Sequence, residues 1–458
     1  MQRVSAIAGL TWKAAFRFRL VWVLLSLLLL SVFVLPLLLK HDGTARGLTQ
    51  ILLTYTLSLI TALLGLSTLW LACGTLARDI EDCRMQLVAV KPVARWEIWL
   101  GKWVGILLLN ACLLAVAGGS VYFLLQWRAR GLSPQERRVL HNEIFVARAA
   151  LKQPLPDLEK LTEQAFRERL QQTAVPPEQH AALRNNLREQ LKAQFQIVPP
   201  GYAKFMSVDL GYKQYTLKNQ PLFLRVKFHA AQTNAGGSYL GKWYIGPTNA
   251  PQNIVAREMK LADNAFHEIE IPPNLLDSAG RLSVIFENRD ETALLFPLED
   301  GFEVLYREGG FGLNFARGLL IILCWLALLA ALGLAAASCL SFPVAAFISA
   351  SLLFVALSSG MMASAVAEGT VLGIPEEGLP IITWADRLLL PVFKAMLGVL
   401  NLVQVFSPVE ALSTGRSITW GQLGQAVLQI VVLLGGLVGA LGIAIFTRRE
   451  LATAQSNG

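Results

Sequence analysis

One run of the chain has the residue types of a phosphate-binding loop. Gly236 to Lys242, GGSYLGK, has the spacing GxxxxGK, in which backbone amides and the lysine hold phosphate groups. The next residue should be Ser or Thr, whose hydroxyl meets magnesium, but it is Trp243. The run also lies among strands that the charge pattern places outside a membrane, where ATP is not expected. We therefore expect no nucleotide site here.

Other chemically active residue types lack the spacing that they need. His267-Glu268 resembles the start of a zinc-protease helix, but Ile271 stands where the second histidine belongs. The five histidines are at 41, 141, 180, 229 and 267, and the five cysteines at 73, 83, 112, 324 and 339. Neither set has metal-ligand spacing, and the sequence contains no CxxC and no GxSxG. We expect no catalytic site, metal or cofactor on this chain.

Composition indicates a membrane protein. The 458 residues are 54% hydrophobic and only 16% charged, whereas soluble globular proteins carry about 25% charged residues. The mean hydropathy is +0.48. These values exclude a disordered or fibrous chain and argue against a lone soluble enzyme. The formal net charge of +8 is consistent with basic side chains that lie at an anionic membrane surface. No basic-aromatic groove for nucleic acid is needed to explain it.

Five stretches without Asp, Glu, Lys or Arg are long enough to cross a bilayer, which takes about 20 apolar residues. They are 20–39, 47–77, 103–127, 318–367 and 417–447. The fourth is 50 residues long and we divide it at Pro343. The six predicted spans are 20–39, 51–75, 103–126, 315–338, 344–366 and 422–446.

Two apolar segments have a second interpretation. Residues 20–39 follow basic residues, as in a signal peptide, but the run is longer than a signal core and lacks a cleavage site. We predict a retained span. Residues 388–406 are apolar but contain Pro391 and Lys394. If they crossed the membrane, the basic tail would face outward, so we interpret 380–408 as an amphipathic or re-entrant segment on the outer side.

The basic residues predict the orientation. Six spans put both termini on one side, and the N-terminus, the 78–102 loop and the tail together hold 11 Lys and Arg. The loops on the other side, apart from the large insertion, hold five. By the positive-inside rule both termini are cytoplasmic, and we expect the membrane to be a bacterial cytoplasmic membrane. The membrane parts are then 1–127 and 313–458, and the insertion 128–312 lies outside.

The insertion reads as an α+β domain. Leucines recur every four residues after Pro176-Pro177 and an earlier apolar helix face covers 157–171, so we predict a helical hairpin within 134–196. From residue 202 to 308 the period becomes two, with turn signals between short runs, which predicts a β-sandwich or jelly roll. Tyr239, Trp243 and Tyr244 are candidate ligand contacts there, but the more common role of strand aromatics is to fill the core.

The inward loop carries the strongest functional signal. Apolar residues at three- and four-residue steps predict an amphipathic helix over 78–92, with acidic residues mostly on other faces. Trp96, Trp99, Lys102 and Trp103 follow on the next helix and are predicted to anchor it at the membrane interface. The helix could rest on the bilayer surface or could dock a cytoplasmic partner.

The same loop resembles the ABC-2-type permeases of ABC transporters. The matching residues are 77–81 (ARDIE), 91–97 (KPVARWE) and 100–102 (LGK), with 407–412 (SPVEAL) and 446–451 (FTRREL) near the end of the chain. The resemblance covers about 1–125 and 313–458, and the outward domain is not matched. It implies that Arg78, Asp79, Glu81, Asp82, Lys91, Pro92 and Arg95 contact an ATPase.

The resemblance also implies partners. A permease of this kind has no ATPase site and works with a separate ATP-binding subunit, which holds ATP and magnesium, and with a second permease subunit. We expect a transport subunit, and specifically an exporter. The alternative is a membrane-anchored receptor or scaffold that displays the sandwich without transporting anything. The hydroxyl-bearing residues of the second span, from Thr49 to Thr68, could line a path, but helix–helix contact is the more common role.

Overall fold

The structure is a computed structural model and describes residues 2–17, 20–38, 45–83, 85, 93–131, 133–140, 145–172, 180–217, 220–232, 237–247, 249–298, 300–371 and 384–449. The chain divides into two compact units. The first, the helical unit, consists of Met1–Ala147 and Gly309–Gly458, and the second, the sandwich unit, of Arg148–Glu308.

The helical unit is built from long apolar helices. In chain order they are α1 (Gln2–Arg17), α2 (Leu20–Leu38), α3 (Ala45–Glu81), α4 (Arg95–Ala129) and the short α5 (Pro134–Val139), then α9 (Phe311–Cys339), α10 (Phe342–Leu357), α11 (Ser359–Glu368), α12 (Trp384–Gln404), α13 (Pro408–Ser413), α14 (Trp420–Ala426) and α15 (Gly436–Arg448). A π-helical segment, Val427–Gly435, joins α14 to α15 without a break. Helices α6 to α8 belong to the sandwich unit.

Several of these helices are long and apolar enough to cross a membrane. Within the described residues four pass by length and composition, namely Thr49–Glu81, Arg95–Ala129, Phe311–Cys339 and Trp420–Arg448. Two further pairs pass only together, α1 with α2, bent by 69°, and α10 with α11, bent by 56°. The unit therefore offers four to six candidate spans. Three of the six predicted spans lie wholly within α3, α4 and α9, and the count of six stays a prediction.

Close packing of small residues holds α3, α4 and α9 together. A Cβ placed on Gly333 of α9 would lie 2.7 Å from the Cβ of Ala72 on α3, so the two backbones approach as only a glycine allows. Asn110 of α4 donates a buried hydrogen bond of 2.8 Å to the Thr68 hydroxyl of α3. Thr56 and Thr68 are themselves buried. Both residues thus pack between helices, as the contact interpretation of the polar second span expects.

One helix was not expected from the sequence, and another lies in the segment predicted as amphipathic or re-entrant. Residues 2–17 form α1, where the sequence had indicated only a basic flank. The segment predicted as amphipathic or re-entrant, 380–408, contains the 21-residue α12, with Pro391 inside it. Residues 380–383 lie outside the described residues.

Eleven strands are present among the described residues of the sandwich unit. They are β1 (Val146–Lys152), β2 (Ile197–Val198), β3 (Ala203–Asp209), β4 (Leu222–Val226), β5 (His229–Ala230), β6 (Ser238–Ile245), β7 (Val255–Ala262), β8 (His267–Ile271), β9 (Arg281–Asn288), β10 (Leu294–Leu295) and β11 (Phe302–Gly310). Two four-stranded sheets have the orders β1-β11-β4-β8 and β3-β9-β6-β7, and a small sheet has the order β2-β10-β5. Helices α6 (Leu158–Gln172), α7 (His180–Gln196) and α8 (Gln214–Leu217) complete the unit.

One apolar core joins the two larger sheets. It takes Leu224 and Val304 from one sheet and Val284, Phe286 and Trp243 from the other, all buried. The alternating pattern that predicted strands is explained by this core, because every second side chain points into it. β6 and β9 pair antiparallel, with Trp243 opposite Phe286. Residues 202–308 therefore form a β-sheet-rich region with one shared core, and the sandwich or jelly-roll arrangement stays a prediction.

The predicted helical region contains a strand. Val146–Lys152 forms β1 of the first sheet, so 134–196 is not helical throughout. The predicted hairpin is formed by α6 and α7, which Glu163 and Arg184 join by an ion pair of 3.1 Å.

Two buried ion pairs cross the first sheet. Arg148 of β1 donates two hydrogen bonds to Glu268 of β8, at 2.8 and 3.2 Å. Arg225 of β4 lies 3.3 Å from Glu303 of β11. Such charges are costly to bury unless they are paired, and each pair here joins two strands of one sheet.

Candidate functional site

The residues predicted to contact an ATPase lie at the end of α3. Arg78, Asp79 and Glu81 occupy the last turn of this helix, which begins at Ala45 and ends at Glu81. They do not begin a separate helix at residue 78, as the sequence had suggested, because the helical backbone of the predicted second span continues through them. Lys91, Pro92 and most of the predicted 78–92 helix lie outside the described residues.

Lys102 links the end of α3 to α4. Its ammonium group donates a 2.5 Å hydrogen bond to the Asp79 carboxylate and a 2.7 Å bond to the Thr75 carbonyl. Lys102 is only 7% exposed, so the charge needs these partners. A buried ammonium with a carboxylate and a carbonyl fixes the register of the two helices.

Arg95 closes the end of the last helix. Its Nη1 nitrogen lies 2.9, 2.8 and 2.7 Å from the carbonyl oxygens of Phe446, Thr447 and Arg449. The final carbonyls of a helix have no partner within the helix and carry partial negative charge. A guanidinium placed there donates hydrogen bonds to them and supplies the opposite charge. Arg95 begins α4, and this contact joins α4 to the C-terminal end of α15.

Two further contacts join helix ends in the same way. Arg449 Nη1 lies 3.1 Å from the Ser338 carbonyl in the last turn of α9. Glu81 accepts a 2.8 Å hydrogen bond from the backbone amide of Phe342, the first residue of α10. The Arg78 guanidinium lies 4.3 Å from the centre of the Phe342 ring. The cluster formed by residues 78–82, 95, 102 and 449, which we call the helix-end cluster, thus contacts the ends of α3, α4, α9, α10 and α15.

The predicted interface tryptophans have different surroundings. Trp96 is 48% exposed, as an anchor would be, but Trp99 is only 2% exposed. Trp99 packs against Gly439 and Gly442 of α15, where an added Cβ would lie 3.1 and 3.2 Å from its ring. Trp103 donates a 2.9 Å hydrogen bond to the Ala327 carbonyl of α9. Trp99 and Trp103 therefore make contacts between helices. Of the three tryptophans, only Trp96 is exposed.

A cavity of about 440 Å³ opens beside the helix-end cluster. α1, α3 and α4 line it, with apolar residues such as Ile7 and Leu71 on one part and Arg78, Asp79, Asp82 and Lys102 on another. The sequence did not predict this cavity because α1 was not recognised as a helix. Its mixed lining gives the cluster a concave surface with both charge signs.

The candidate ligand contacts of the sandwich are largely internal. Tyr239 is 1% exposed and Trp243 is 0% exposed, and Tyr239 donates its hydroxyl to the Gln232 carbonyl at 2.8 Å. Both are core residues, as the more common interpretation expects. Tyr244 is half-buried and donates to Glu287 at 3.0 Å. Desolvation is the largest single contribution and raises the pKa of Glu287. The bond from Tyr244 and the charge of Arg289 together outweigh it, so that the pKa is lowered.

The residues that suggested enzyme chemistry are not assembled into a site. Ser238 to Ile245 is a strand, whereas a phosphate-binding loop leads into a helix whose N-terminus meets the phosphates. Within the described ranges no group of three or more His, Cys, Asp or Glu is placed to hold a metal ion. Among the described residues, the helix-end cluster is the group of charged side chains that joins the ends of several helices.

Comparisons with known proteins do not identify a relative. No family model, no curated protein and no solved structure matches the chain. The function must therefore be argued from this chain's own residues.

Proposed function

We propose that the chain is the membrane-spanning permease subunit of an ABC exporter, driven by a separate ATPase. The proposal places the helical unit in a bacterial cytoplasmic membrane with both termini in the cytoplasm and residues 128–312 outside. It includes a second permease subunit. The chain itself would bind no ATP and carry out no reaction.

The observation that carries the proposal is the helix-end cluster. Arg95, Arg449 and Glu81 each bond to the backbone at the end of another helix. A force applied at the end of α3 and the start of α4 would therefore reach α9, α10 and α15 through these bonds from side chain to backbone. A transport subunit needs such a link between an ATPase and its helices, whereas an anchor for a displayed domain does not.

The charges of the cluster indicate where the ATPase would bind. Glu81 and Asp82 are exposed, and Asp82 also lines the 440 Å³ cavity. Asp79 is engaged internally by Lys102, and Arg95 by the end of α15. We therefore assign docking to Glu81, Asp82 and the cavity wall, and assign to Asp79, Arg95 and Lys102 the transmission of the movement.

The test is purification of the full chain through a C-terminal tag in mild detergent. We expect a stoichiometric ATPase of the cytoplasmic ABC type to co-purify. The variant Glu81→Gln with Asp82→Lys should lose it, because Gln keeps an oxygen for the Phe342 amide while the acidic surface disappears. Changing Asp79 would be less informative, since it would also leave the buried Lys102 ammonium without its carboxylate partner.

The matched control is Glu159→Lys, an exposed acidic residue on α6 of the sandwich unit. It reverses one charge at a position that is distant in sequence from the helix-end cluster. We expect the ATPase to co-purify with this variant. An ATPase retained by the double variant would contradict the docking site. Intact protein without any ATPase under gentle conditions would contradict the transport proposal and favour the membrane-anchored receptor.

A further inference from the structure

The sandwich unit contains a second cavity that none of the predicted site residues lines. It measures about 560 Å³ and is formed by the segment 153–156, the end of α7 with β2, β3, and residues 296–298 and 302. Its volume falls within the range of about 300–1,000 Å³ that is usual for small-molecule sites. All of its walls belong to the sandwich unit. We call it the sandwich cleft.

The cleft is apolar and partly open. Of its eighteen lining residues, fifteen are apolar or aromatic. Several large ones remain exposed, including Leu155 at 60%, Tyr202 at 66% and Phe205 at 54%. Covering such side chains with apolar atoms is favourable by about 25 cal/mol for each Å² of apolar surface removed from water.

One cation faces this apolar surface. Lys204 of β3 lines the cleft, and its ammonium group donates a 2.7 Å hydrogen bond to the Phe195 carbonyl. The same nitrogen lies 5.5 Å from the centre of the Phe296 ring. Among the described residues that line the cleft, none carries a carboxylate. Burial lowers the pKa of Lys204 to about 8, so its charged form would be favoured by an anion.

The polar groups are too few for a sugar or a peptide backbone. Apart from Lys204, the polar side-chain groups among the described lining residues are the amides of Gln153 and Gln194 and the hydroxyl of Tyr202. A carbohydrate would have most of its hydroxyls desolvated without partners, and each such group costs free energy. An aliphatic chain has no such cost, and one acidic group suffices to use the lysine.

We propose that the sandwich cleft binds an anionic amphiphile, that is, a molecule with an aliphatic chain and one terminal carboxylate or phosphate. The acidic group pairs with Lys204 and the chain lies against the aromatic and aliphatic walls. The cleft would bind such a molecule whether or not the helical unit transports anything.

The test uses the full chain in nanodiscs of zwitterionic phosphatidylcholine. The probe is a twelve-carbon fatty acid with a photoreactive diazirine in its chain, compared with its uncharged methyl ester. After irradiation, adducts are mapped by mass spectrometry. We expect acid adducts within 153–156, 194–206 and 296–302, normalised to labelling of the helical unit, because the membrane concentrates both probes there.

Lys204→Met should reduce labelling of the cleft by the acid at least about tenfold and leave labelling by the ester unchanged, since it removes the charge and keeps the apolar stem. Lys204→Arg should restore labelling by the acid. The control Lys260→Met changes an exposed lysine of β7 and should have no effect. Phe205→Ala should weaken labelling by both probes.

Competition distinguishes the two sources of the acidic group. Unlabelled laurate, dodecyl phosphate and the neutral dodecanol are added separately, and the stronger of the two anions identifies the natural headgroup class. Equal labelling by acid and ester, equal competition by dodecanol, or unchanged labelling in Lys204→Met would overturn the proposal. Adducts confined to the helical unit would overturn it as well.

Discussion

At the scale of single residues, the helix-end cluster depends on side chains that bond to backbone. Arg95 uses one nitrogen for three carbonyls at the end of α15. The sequence indicated that this arginine matters, through its place in the 91–97 run, but not what it contacts. Every residue has a carbonyl, so no residue type marks the acceptor in the sequence.

Replacing Arg95 with Ala should destabilise the helical unit. Hydrogen bonds to charged groups contribute about 1.5–3 kcal/mol, and the three carbonyls would be left to solvent or lipid. We expect a loss of that size in the free energy of unfolding, measured by titrating the purified protein with dodecyl sulfate. Arg3→Ala is the control, because Arg3 is largely exposed and lies 3.6 Å from Glu97. Exposed pairs contribute less than about 1 kcal/mol, so equal losses would contradict the assigned role.

At the scale of elements, the sequence predicted the helices whose signal is local. Charge-free stretches located α3, α4 and α9, and period-two runs located the strands of the sandwich. β1 was missed because VARAALK, rich in alanine, lacks a clear alternation of large apolar residues. α1 was missed because Arg3, Lys13 and Arg17 suggested only a basic flank. The contacts of the helix-end cluster could not be predicted, since most of them join residues more than a hundred positions apart.

The packing of α15 depends on two glycines that accept Trp99. A Cβ on Gly442 would lie 2.9 Å from the Ala335 Cα and 3.2 Å from the Trp99 ring nitrogen. Gly442→Ala should therefore push α15 away from α4 and α9, and overpacking of this kind costs about 1–3 kcal/mol. The measurement is the midpoint of thermal unfolding in detergent, followed by Trp fluorescence.

Gly436→Ala on the same helix is its matched control. Nothing lies within 4 Å of the Cβ that it would add, and the backbone there is helical. Ala should be neutral or stabilising by up to about 1 kcal/mol, because it loses less conformational entropy than Gly. If both substitutions lowered the midpoint equally, close packing at Gly442 would not be the cause.

At the scale of the whole molecule, the proposed orientation predicts that a water-soluble reagent has access to the end of α3 from one side of a membrane and to the sandwich unit from the other. Cys83, at the end of α3, is exposed, and a cysteine can be placed at Lys260 on the sandwich unit. With the exposed Cys112 and Cys339 changed to Ala, an impermeant maleimide should label Cys83 only in inverted vesicles. Lys260→Cys should be labelled only in right-side-out vesicles. Labelling of both positions from the same side would show the predicted orientation to be wrong.

The bonds to backbone in the helix-end cluster also bear on how the sequence can change over evolution. Arg95 is restricted by its geometry, but any residue at 446, 447 or 449 supplies the same carbonyl. As acceptors of the Arg95 bonds these positions can therefore change while the arginine cannot, and the two sides of this contact leave no correlated substitutions, although the Arg449 side chain also makes its own bond to the Ser338 carbonyl. Methods that infer proximity from paired changes in related sequences should overlook this contact, even though it joins α4 to the end of α15.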